Sequence, residues 1–316
     1  MILKDYEKLP EKMKNEKVKE YYDIISKKKI SLVMKRIFDI FFSLVLLIIL
    51  SPILLILAII AVLLGIAGVA YGIYKKATLN IPNPVATMEI EDYGTIKIEL
   101  YPDKAPNTVT NFIRLANRGF YNGSTFHRTI PNFVIQGGAK NGDTTVSPSL
   151  SDIMDNVQTD RTYNIKGEFI ANGYTKNNIK HEKGVISMAR SDYSQYSSSL
   201  TTKGYDSAGS QFFIMTEDNT QLDGTYAAFG KVIEGMDVVE KIANVKVYYR
   251  SSELKDGEEA PKDKDGNTIQ SDTPKKQPVI KSITVETNGV DYGVPETVEV
   301  FDAYSWMMQQ YGISGK

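Results

Sequence analysis

The residues that could do chemistry are concentrated in one stretch of thirteen, Phe126 to Gly138, which reads FHRTIPNFVIQGG. It places Arg128 eight residues before Gln136, among apolar side chains. A guanidinium that is held in place can donate hydrogen bonds to an amide nitrogen or to a carbonyl oxygen. The neighbouring His127 has the side-chain type of a general base. Taken alone, the pattern is more typical of a surface arginine and of alternating core residues than of a catalytic site.

Composition excludes several other kinds of chemistry. The 316 residues include no cysteine and two histidines, His127 and His181. Thiolate catalysis and cysteine-ligated metals are excluded, and most histidine-based metal sites need more ligands than these two. Asp263 to Asn267 (DKDGN) hints at a calcium loop, but its glycine offset is wrong and it lacks the closing glutamate, so we interpret it as a polar turn. The net charge of −1 provides no basic field for nucleic acid. We expect no metal, no cofactor and no nucleic-acid partner.

Four further motifs follow along the chain. They are GVISMA, GSQFFI, LDG and FGKV, which begin at Gly184, Gly209, Leu222 and Phe229. In this order the five motifs resemble the cyclophilin family of peptidyl-prolyl cis/trans isomerases, over about Val85 to Thr287. The resemblance implies a mainly β fold, an eight-stranded antiparallel barrel with two capping helices. It also implies an enzyme that accelerates isomerisation of X–Pro bonds in proline-containing polypeptides.

The resemblance assigns roles to individual residues. The catalytic set would be Arg128, Phe133 and Gln136. Arg128 would donate to the twisted amide, and Gln136 would hold both Arg128 and the substrate backbone. The substrate-binding set would be Met188, Ala189, Gln211, Phe213, Leu222 and Tyr226. Within these sets, an apolar floor for the proline ring is implied at Phe133, Met188, Phe213 and Leu222. Because the reaction moves no proton, we interpret His127 as a structural hydrogen-bonding residue.

An arginine suits this reaction for a physical reason. The X–Pro C–N bond has partial double-bond character, and its rotation barrier is ~18–20 kcal/mol. In the twisted state the amide loses resonance and its nitrogen gains a lone pair, to which a guanidinium can donate. Donation that is stronger in the twisted state than in the planar one is transition-state binding by preorganised charge. Bringing an event of about ten seconds to a millisecond requires ~10⁴-fold, or roughly 5.5 kcal/mol.

Three positions depart from the pattern of many family members. Gln221 stands where a tryptophan is often found, Tyr226 where many eukaryotic members have histidine, and Arg190 where asparagine is common. These departures affect the rim of the groove and leave Arg128 at its centre. Cyclosporin binding in the family depends on that tryptophan, so we expect this chain to bind cyclosporin weakly.

The elements that must position these residues can be predicted from spacing. Ala86 to Pro102 alternates around Tyr93-Gly94 and predicts a hairpin. Ala105 to Arg118 predicts a helix with an apolar face and Gly119 as its C-terminal cap, and Met236 to Ala243 predicts a second. Short strand candidates separated by turns are STFHRTI, NFVIQGG, GVISMAR, SQFFIMT, AAFGKVI and PVIKSITVET.

An apolar run from Ile37 to Tyr74 precedes the barrel. About 20 apolar residues cross the ~30 Å hydrocarbon core, so the run predicts a transmembrane helix in contact with lipid. Ser51-Pro52 lies inside it, and proline removes a helical donor, so we expect a kink or a break there. Either one kinked span or a re-entrant helix pair fits. Lys35 to Ala61 resembles the re-entrant anchor of bacterial polyprenyl-phosphate sugar transferases, whose catalytic domain is absent here.

Charge and composition complete the predicted organisation. The lysine-rich segment before the run predicts a cytoplasmic N-terminus and an extracytoplasmic catalytic domain in a single-pass protein of the cell membrane. The predicted segments are a leader (1–36), an anchor (37–74), a linker (75–84), an isomerase domain (85–287) with a mobile insert (251–277), and a C-terminal extension (288–316). The function favoured is folding of exported or cell-surface proteins. A proline-peptide-binding module with little turnover, and recruitment to a membrane glycan-assembly partner, remain as alternatives.

Overall fold

The computed structural model describes residues 5–78, 81–254 and 258–310. The predicted leader, linker, insert and C-terminal extension therefore lie partly outside the described residues. The chain divides into two compact units, Met1–Asn80 and Ile81–Lys316.

The first unit is helical. It contains α1 (Glu16–Lys27) and α2 (Lys29–Thr78). The part of α2 from Val33 to Gly72 is long and apolar enough to cross a membrane, judged by length and composition. Its large apolar side chains are exposed and not packed into a protein core. These features are compatible with the predicted anchor, which stays a prediction.

Pro52 does not break α2. The helix continues through Ser51 and Pro52, so this segment is one continuous helix and not a pair of helices. Proline lacks the N–H that would bond the carbonyl of Ile48, four residues earlier. The hydroxyl of Ser51 donates to that carbonyl at 3.3 Å, which restores a partner to the orphaned group.

The second unit is built on an eight-stranded antiparallel sheet, with a small separate ribbon. Its strands are β1 (Val85–Ile90), β2 (Gly94–Leu100), β3 (Phe126–Ile130), β4 (Val134–Gly137), β5 (Tyr163–Asn164), β6 (Val185–Met188), β7 (Phe212–Met215), β8 (Ala228–Glu234), β9 (Ile280–Glu286) and β10 (Val298–Glu299). The large sheet has the order β3-β4-β7-β6-β8-β2-β1-β9, and β5 pairs with β10. An isolated bridge between Thr125 and Val279 joins the two edges of the sheet. The predicted mainly β fold is confirmed.

The second unit also contains the helices α3 (Pro106–Asn117), α4 (Thr201–Tyr205), α5 (Met236–Ala243) and α6 (Ala303–Gln310). Two of these helices, α3 and α5, pack their apolar faces into the core enclosed by this sheet. The predicted apolar face of α3 is buried, and Pro106 occupies its first position. The buried carboxyl group of Glu168 accepts from the backbone N–H groups of Asn107 and Thr108, at 3.1 and 2.8 Å. Donors at a helix N-terminus have no partner within the helix, so Glu168 stabilises the start of α3.

The inner strands contribute to apolar clusters on both faces of the sheet. On β7, Phe212 and Ile214 belong to the main core, whereas Phe213 and Met215 belong to a smaller cluster that also contains Val134 of β4. Successive side chains of a strand point to opposite faces, so the smaller cluster lies on the other face of the sheet from the main core. That second face supports the candidate site.

The end of the predicted mobile insert is docked against β3. The N–H of Thr129 donates to the carbonyl of Asp272 at 2.9 Å, and Arg250 pairs with the buried Asp272 carboxylate at 3.3 Å. Earlier in the insert, the Asp263 carboxylate accepts from the N–H groups of Asp265 and Asn267, which closes a polar turn. The mobility of the rest of the insert stays a prediction.

Candidate active site

A β-bulge places Arg128 on the second face of the sheet. Phe126 pairs with Gly137 and Arg128 pairs with Gln136, so His127 is an extra residue between them. Without the extra residue, Phe126 and Arg128 would share a face, because side chains alternate. The bulge leaves Phe126 in the main core and re-aims Arg128 to the face that carries Gln136. Gly137 permits this, because a Cβ there would lie 2.8 Å from the Thr125 carbonyl oxygen.

A chain of amide hydrogen bonds orients the guanidinium. Nη1 of Arg128 donates to Oε1 of Gln136 at 3.4 Å, and Nε2 of Gln136 donates to Oε1 of Gln211 at 3.3 Å. Nε2 of Gln211 then donates to the carbonyl of Thr144 at 2.8 Å. That carbonyl can only accept, so it determines the orientation of both amides and turns an acceptor towards Arg128.

Next to Arg128 lies a small half-open pocket with a volume of about 150 Å³. One side is polar and is formed by Arg128, Gln136 and Arg190, while the floor is apolar. The full lining is Arg128, Phe133, Val134, Gln136, Ala189, Arg190, Phe213, Leu222 and Tyr226. Seven of the nine predicted site residues are therefore brought together on one surface, although the sequence spreads them over almost a hundred positions.

The two other predicted site residues lie elsewhere. Met188 does not line the pocket: it is 1% exposed and packs in the main core. The neighbouring Ala189 has the opposite orientation, because adjacent residues of an extended chain face opposite sides. Gln211 lies behind Gln136 and lines an adjoining cavity, so it contacts the centre through Gln136.

Two lining residues were missed by the sequence reasoning. Val134 stands two positions before Gln136 on β4, and that period-two spacing is a signal that could have placed it in the pocket. Arg190 was noted as a departure but was given no role. Its position in the lining carried no comparable signal, because it follows the end of β6 in a loop.

The two arginines of the pocket have different surroundings. The Arg190 guanidinium lies 4.7 Å from the ring centre of Tyr226 and 5.0 Å from that of Tyr205, and its Nε donates to the carbonyl of Thr225. Cation–π contacts and this hydrogen bond hold it as part of the wall. Arg128 forms no ion pair with any residue that the structure describes. Its remaining donors are therefore available to a ligand in the pocket.

A buried histidine supports the apolar floor from below. The ring of His181 stacks on that of Phe213 at 6.1 Å and is almost fully buried. Its Nδ1 lies 3.3 Å from the carboxylate of Asp223 and its Nε2 lies 2.9 Å from the hydroxyl of Ser187. Burial lowers the pKa of His181, and the hydrogen bond with Asp223 opposes that shift. Phe213 also meets Tyr226 edge-to-face at 5.4 Å, so the floor is held on two sides.

His127 is buried at the bulge and does not line the pocket. Burial, together with the positive charge of Arg128, lowers the pKa of His127 to about 4. Its Nδ1 has no hydrogen-bond partner among the described residues. The hydrogen bonding expected of His127 is therefore not seen at Nδ1, and its structural role stays a prediction.

The comparisons with known proteins agree with this geometry. A family model described as cyclophilin type peptidyl-prolyl cis-trans isomerase/CLD matches residues 85–285, more than half of the chain. The chain belongs to this family. The predicted family, fold class and enzymatic activity are thereby confirmed, and this cyclophilin is a peptidyl-prolyl cis-trans isomerase.

Curated relatives carry the same description. The chain is 41% identical over 155 residues to peptidyl-prolyl cis-trans isomerase B of Bacillus subtilis. The matched region covers 49% of this chain and 87% of that relative. It is 40% identical over 157 residues to a peptidyl-prolyl cis-trans isomerase of Acinetobacter baylyi, and this match covers 48% of this chain and 68% of that relative. A crystal structure of a cyclophilin type isomerase from Cryptosporidium parvum in the presence of the dipeptide Ala-Pro is 26% identical, covers 64% of this chain and 98% of its own, and has a TM-score of 0.45.

The low pKa of His127 predicts a pH dependence of stability. An unfolded histidine titrates near pH 6.5, so between about pH 6.5 and 4 the unfolded chain binds a proton that the folded chain does not. This contribution to the free energy of unfolding is complete above about pH 6.5 and is lost as the pH falls to about 4, by roughly 3 kcal/mol. Urea unfolding of the full chain in detergent at stepped pH measures the slope, and His127→Gln is expected to flatten it. An unchanged slope in His127→Gln would contradict this role.

Proposed function

We propose that this cyclophilin catalyses X–Pro isomerisation through Arg128 and assists the folding of exported or cell-surface proteins. The observation that carries the proposal is the position of the Arg128 guanidinium, which Gln136 orients and no described carboxylate neutralises, at the edge of an apolar pocket. A side chain in this state can donate to a bound amide without first breaking an ion pair.

The proposed mechanism uses the two sides of the pocket for two tasks. The proline ring rests on Phe133, Phe213 and Leu222, where apolar contact holds it still. The rest of the amide rotates about the C–N bond, and Arg128 donates to the nitrogen lone pair that develops in the twisted state. No covalent bond forms or breaks, and no proton is transferred. The amide chain behind Arg128 keeps the donor aimed before the substrate twists, which reduces the reorganisation needed in the transition state.

A binding module with little turnover is the rival function for the same pocket. An apolar floor with backbone contacts is sufficient to bind a proline-containing peptide. It does not require an oriented guanidinium, whereas catalysis does. The bonding of Arg128 through Gln136 and Gln211 to the Thr144 carbonyl therefore favours turnover.

Replacing Arg128 tests this assignment. Arg128→Ala in the full chain, in detergent, should lower kcat/KM for a short X–Pro peptide by about ten- to a thousandfold, since it removes about 1.4–4 kcal/mol of transition-state stabilisation. Arg128→Lys keeps the charge but loses the planar fork, so it should restore little activity. Arg118→Ala is the matched control, because it removes a surface arginine that pairs with Asp155. Full activity in Arg128→Ala, combined with a lower unfolding temperature, would make the arginine structural.

Cyclosporin should inhibit this cyclophilin poorly. Gln221 is exposed beside Leu222 at the rim of the pocket and has no flat indole that could pack and donate a hydrogen bond. Titration of the isomerase activity with cyclosporin should therefore give a weak inhibition constant, and Gln221→Trp should strengthen it. Tight inhibition of the unmodified chain would show that this rim position does not control cyclosporin binding.

The proposed clients depend on where the domain lies relative to the membrane. The unbroken α2 supports a single span over a re-entrant pair, because a continuous helix has no point at which to turn back. Lysines and an arginine at 27–29 and 35–36 precede the apolar segment, whereas two lysines, at 75–76, follow it. By the positive-inside rule this asymmetry favours a cytoplasmic N-terminus and an external domain.

Protease added to intact cells tests this topology. With the proposed orientation it should remove the barrel, while a tag placed at the N-terminus should stay attached to a protected fragment that includes the anchor. Permeabilised cells serve as the control, in which both sides are digested. A barrel that stays intact until the membrane is permeabilised would place the domain inside the cell and exclude exported proteins as its clients.

A further inference from the structure

A second cavity adjoins the proline pocket. It has a volume of about 300 Å³, and it shares Gln136, Ala189 and Arg190 with the lining of the first pocket. The two cavities are therefore neighbouring parts of one groove. An extended peptide whose proline occupies the first cavity advances about 3.3–3.6 Å per residue, so a residue close to the proline in sequence reaches the second.

One wall of this second cavity comes from the C-terminal extension. Val300 and Phe301 line it, although they lie beyond the region matched by the family model, which ends at residue 285. The Phe301 ring packs against that of Tyr193 at 5.4 Å, and Lys203 lies 5.8 Å from its centre. Phe301 thus forms an aromatic wall together with a residue of the 191–203 loop.

The extension is fastened on the side that precedes Phe301. Val298 and Glu299 form β10, which pairs with β5. The backbone N–H of Glu296 donates to Asn107 at 2.7 Å, and Asn107 donates back to the Glu296 carbonyl at 2.9 Å. These contacts set the position of the chain that leads into Phe301. A wall held in this way keeps its shape before a substrate arrives, which lowers the entropy cost of binding.

We propose that Phe301 and the segment around it select substrates by the side chain two residues away from the proline. Residues two apart in an extended peptide point to the same side, so a proline on the floor of the first cavity directs that side chain into the second. This inference rests on the proposed function of the first cavity as the proline site.

The chemistry of the second cavity favours a large side chain with both an apolar surface and a hydrogen-bonding atom. The rings of Phe301 and Tyr193 offer aromatic contact, while Thr144, Asn164 and Ser207 contribute hydroxyl and amide groups. Tyrosine is the simplest side chain that meets both requirements.

Matched peptides test the proposal. One set carries tyrosine two residues before or after the proline, and the other set carries glycine at the same positions. The full chain in detergent should show a kcat/KM and an affinity about three- to tenfold higher for a tyrosine peptide, the range expected for one aromatic contact. Phe301→Ala should remove this preference, and Phe301→Tyr should keep it. Tyr304→Ala is the control, because Tyr304 is 66% exposed on α6 and does not line the cavity.

The two readouts separate this inference from the proposed function. Turnover of the glycine peptide tests the isomerase mechanism, whereas the ratio of dissociation constants for tyrosine and glycine peptides tests the second cavity. Equal dissociation constants for both peptides in the unmodified chain, or an unchanged preference in Phe301→Ala, would overturn the role of Phe301. A lower unfolding temperature of Phe301→Ala would show that its loss of preference comes from a detached extension. In that case Phe301→Tyr decides, because it keeps the aromatic ring: a retained tyrosine preference supports the role of Phe301, and a lost preference at an unchanged unfolding temperature overturns it.

Discussion

Arg128 reaches its position only because β3 carries one residue too many. The bulge at His127 changes the face to which the following residue points, and the absence of a side chain at Gly137 leaves room for it. A regular strand would bury the guanidinium in the main core, where an unpaired charge is costly. The candidate site therefore depends on a local irregularity of the backbone more than on any single side-chain contact. The bulge also buries His127 as a neutral group, which couples this geometry to pH.

The sheet separates stability from function through its two faces. The main core holds most of the large buried apolar residues and the apolar faces of α3 and α5, while the second face carries a smaller cluster from which the pocket is built. Phe213 belongs to this cluster and is held by His181 and Tyr226. Residues of the pocket and of its rim can therefore vary without changing the core.

Polar order in the site extends beyond the residues that would touch a substrate. The Thr144 carbonyl lies on the loop between β4 and β5, yet it determines the orientation of Gln211, then of Gln136 and finally of Arg128. Such a chain is stronger than its separate bonds when every member is satisfied. The same loop borders the second cavity, so the orientation of Arg128 and the shape of the neighbouring cavity depend on one segment. The C-terminal extension completes that cavity from a part of the chain beyond the family match.

The sequence by itself determined the class of this protein. Ordered motifs predicted the family and the barrel, proline and apolar spacing predicted α3 and α5 to within a residue or two, and the apolar run predicted the long helix. Such features are local, because they follow from the spacing of side chains within one element. Tertiary structure decided which predicted residues meet. It moved Met188 into the core, brought Val134 into the pocket, and placed Phe301 against Tyr193. The bulge at His127 arises from backbone pairing between β3 and β4. The path of the C-terminal extension and the Ser51 bond to the Ile48 carbonyl depend on single hydrogen bonds between a side chain and the backbone. Side-chain periodicity carries no information about contacts of either kind.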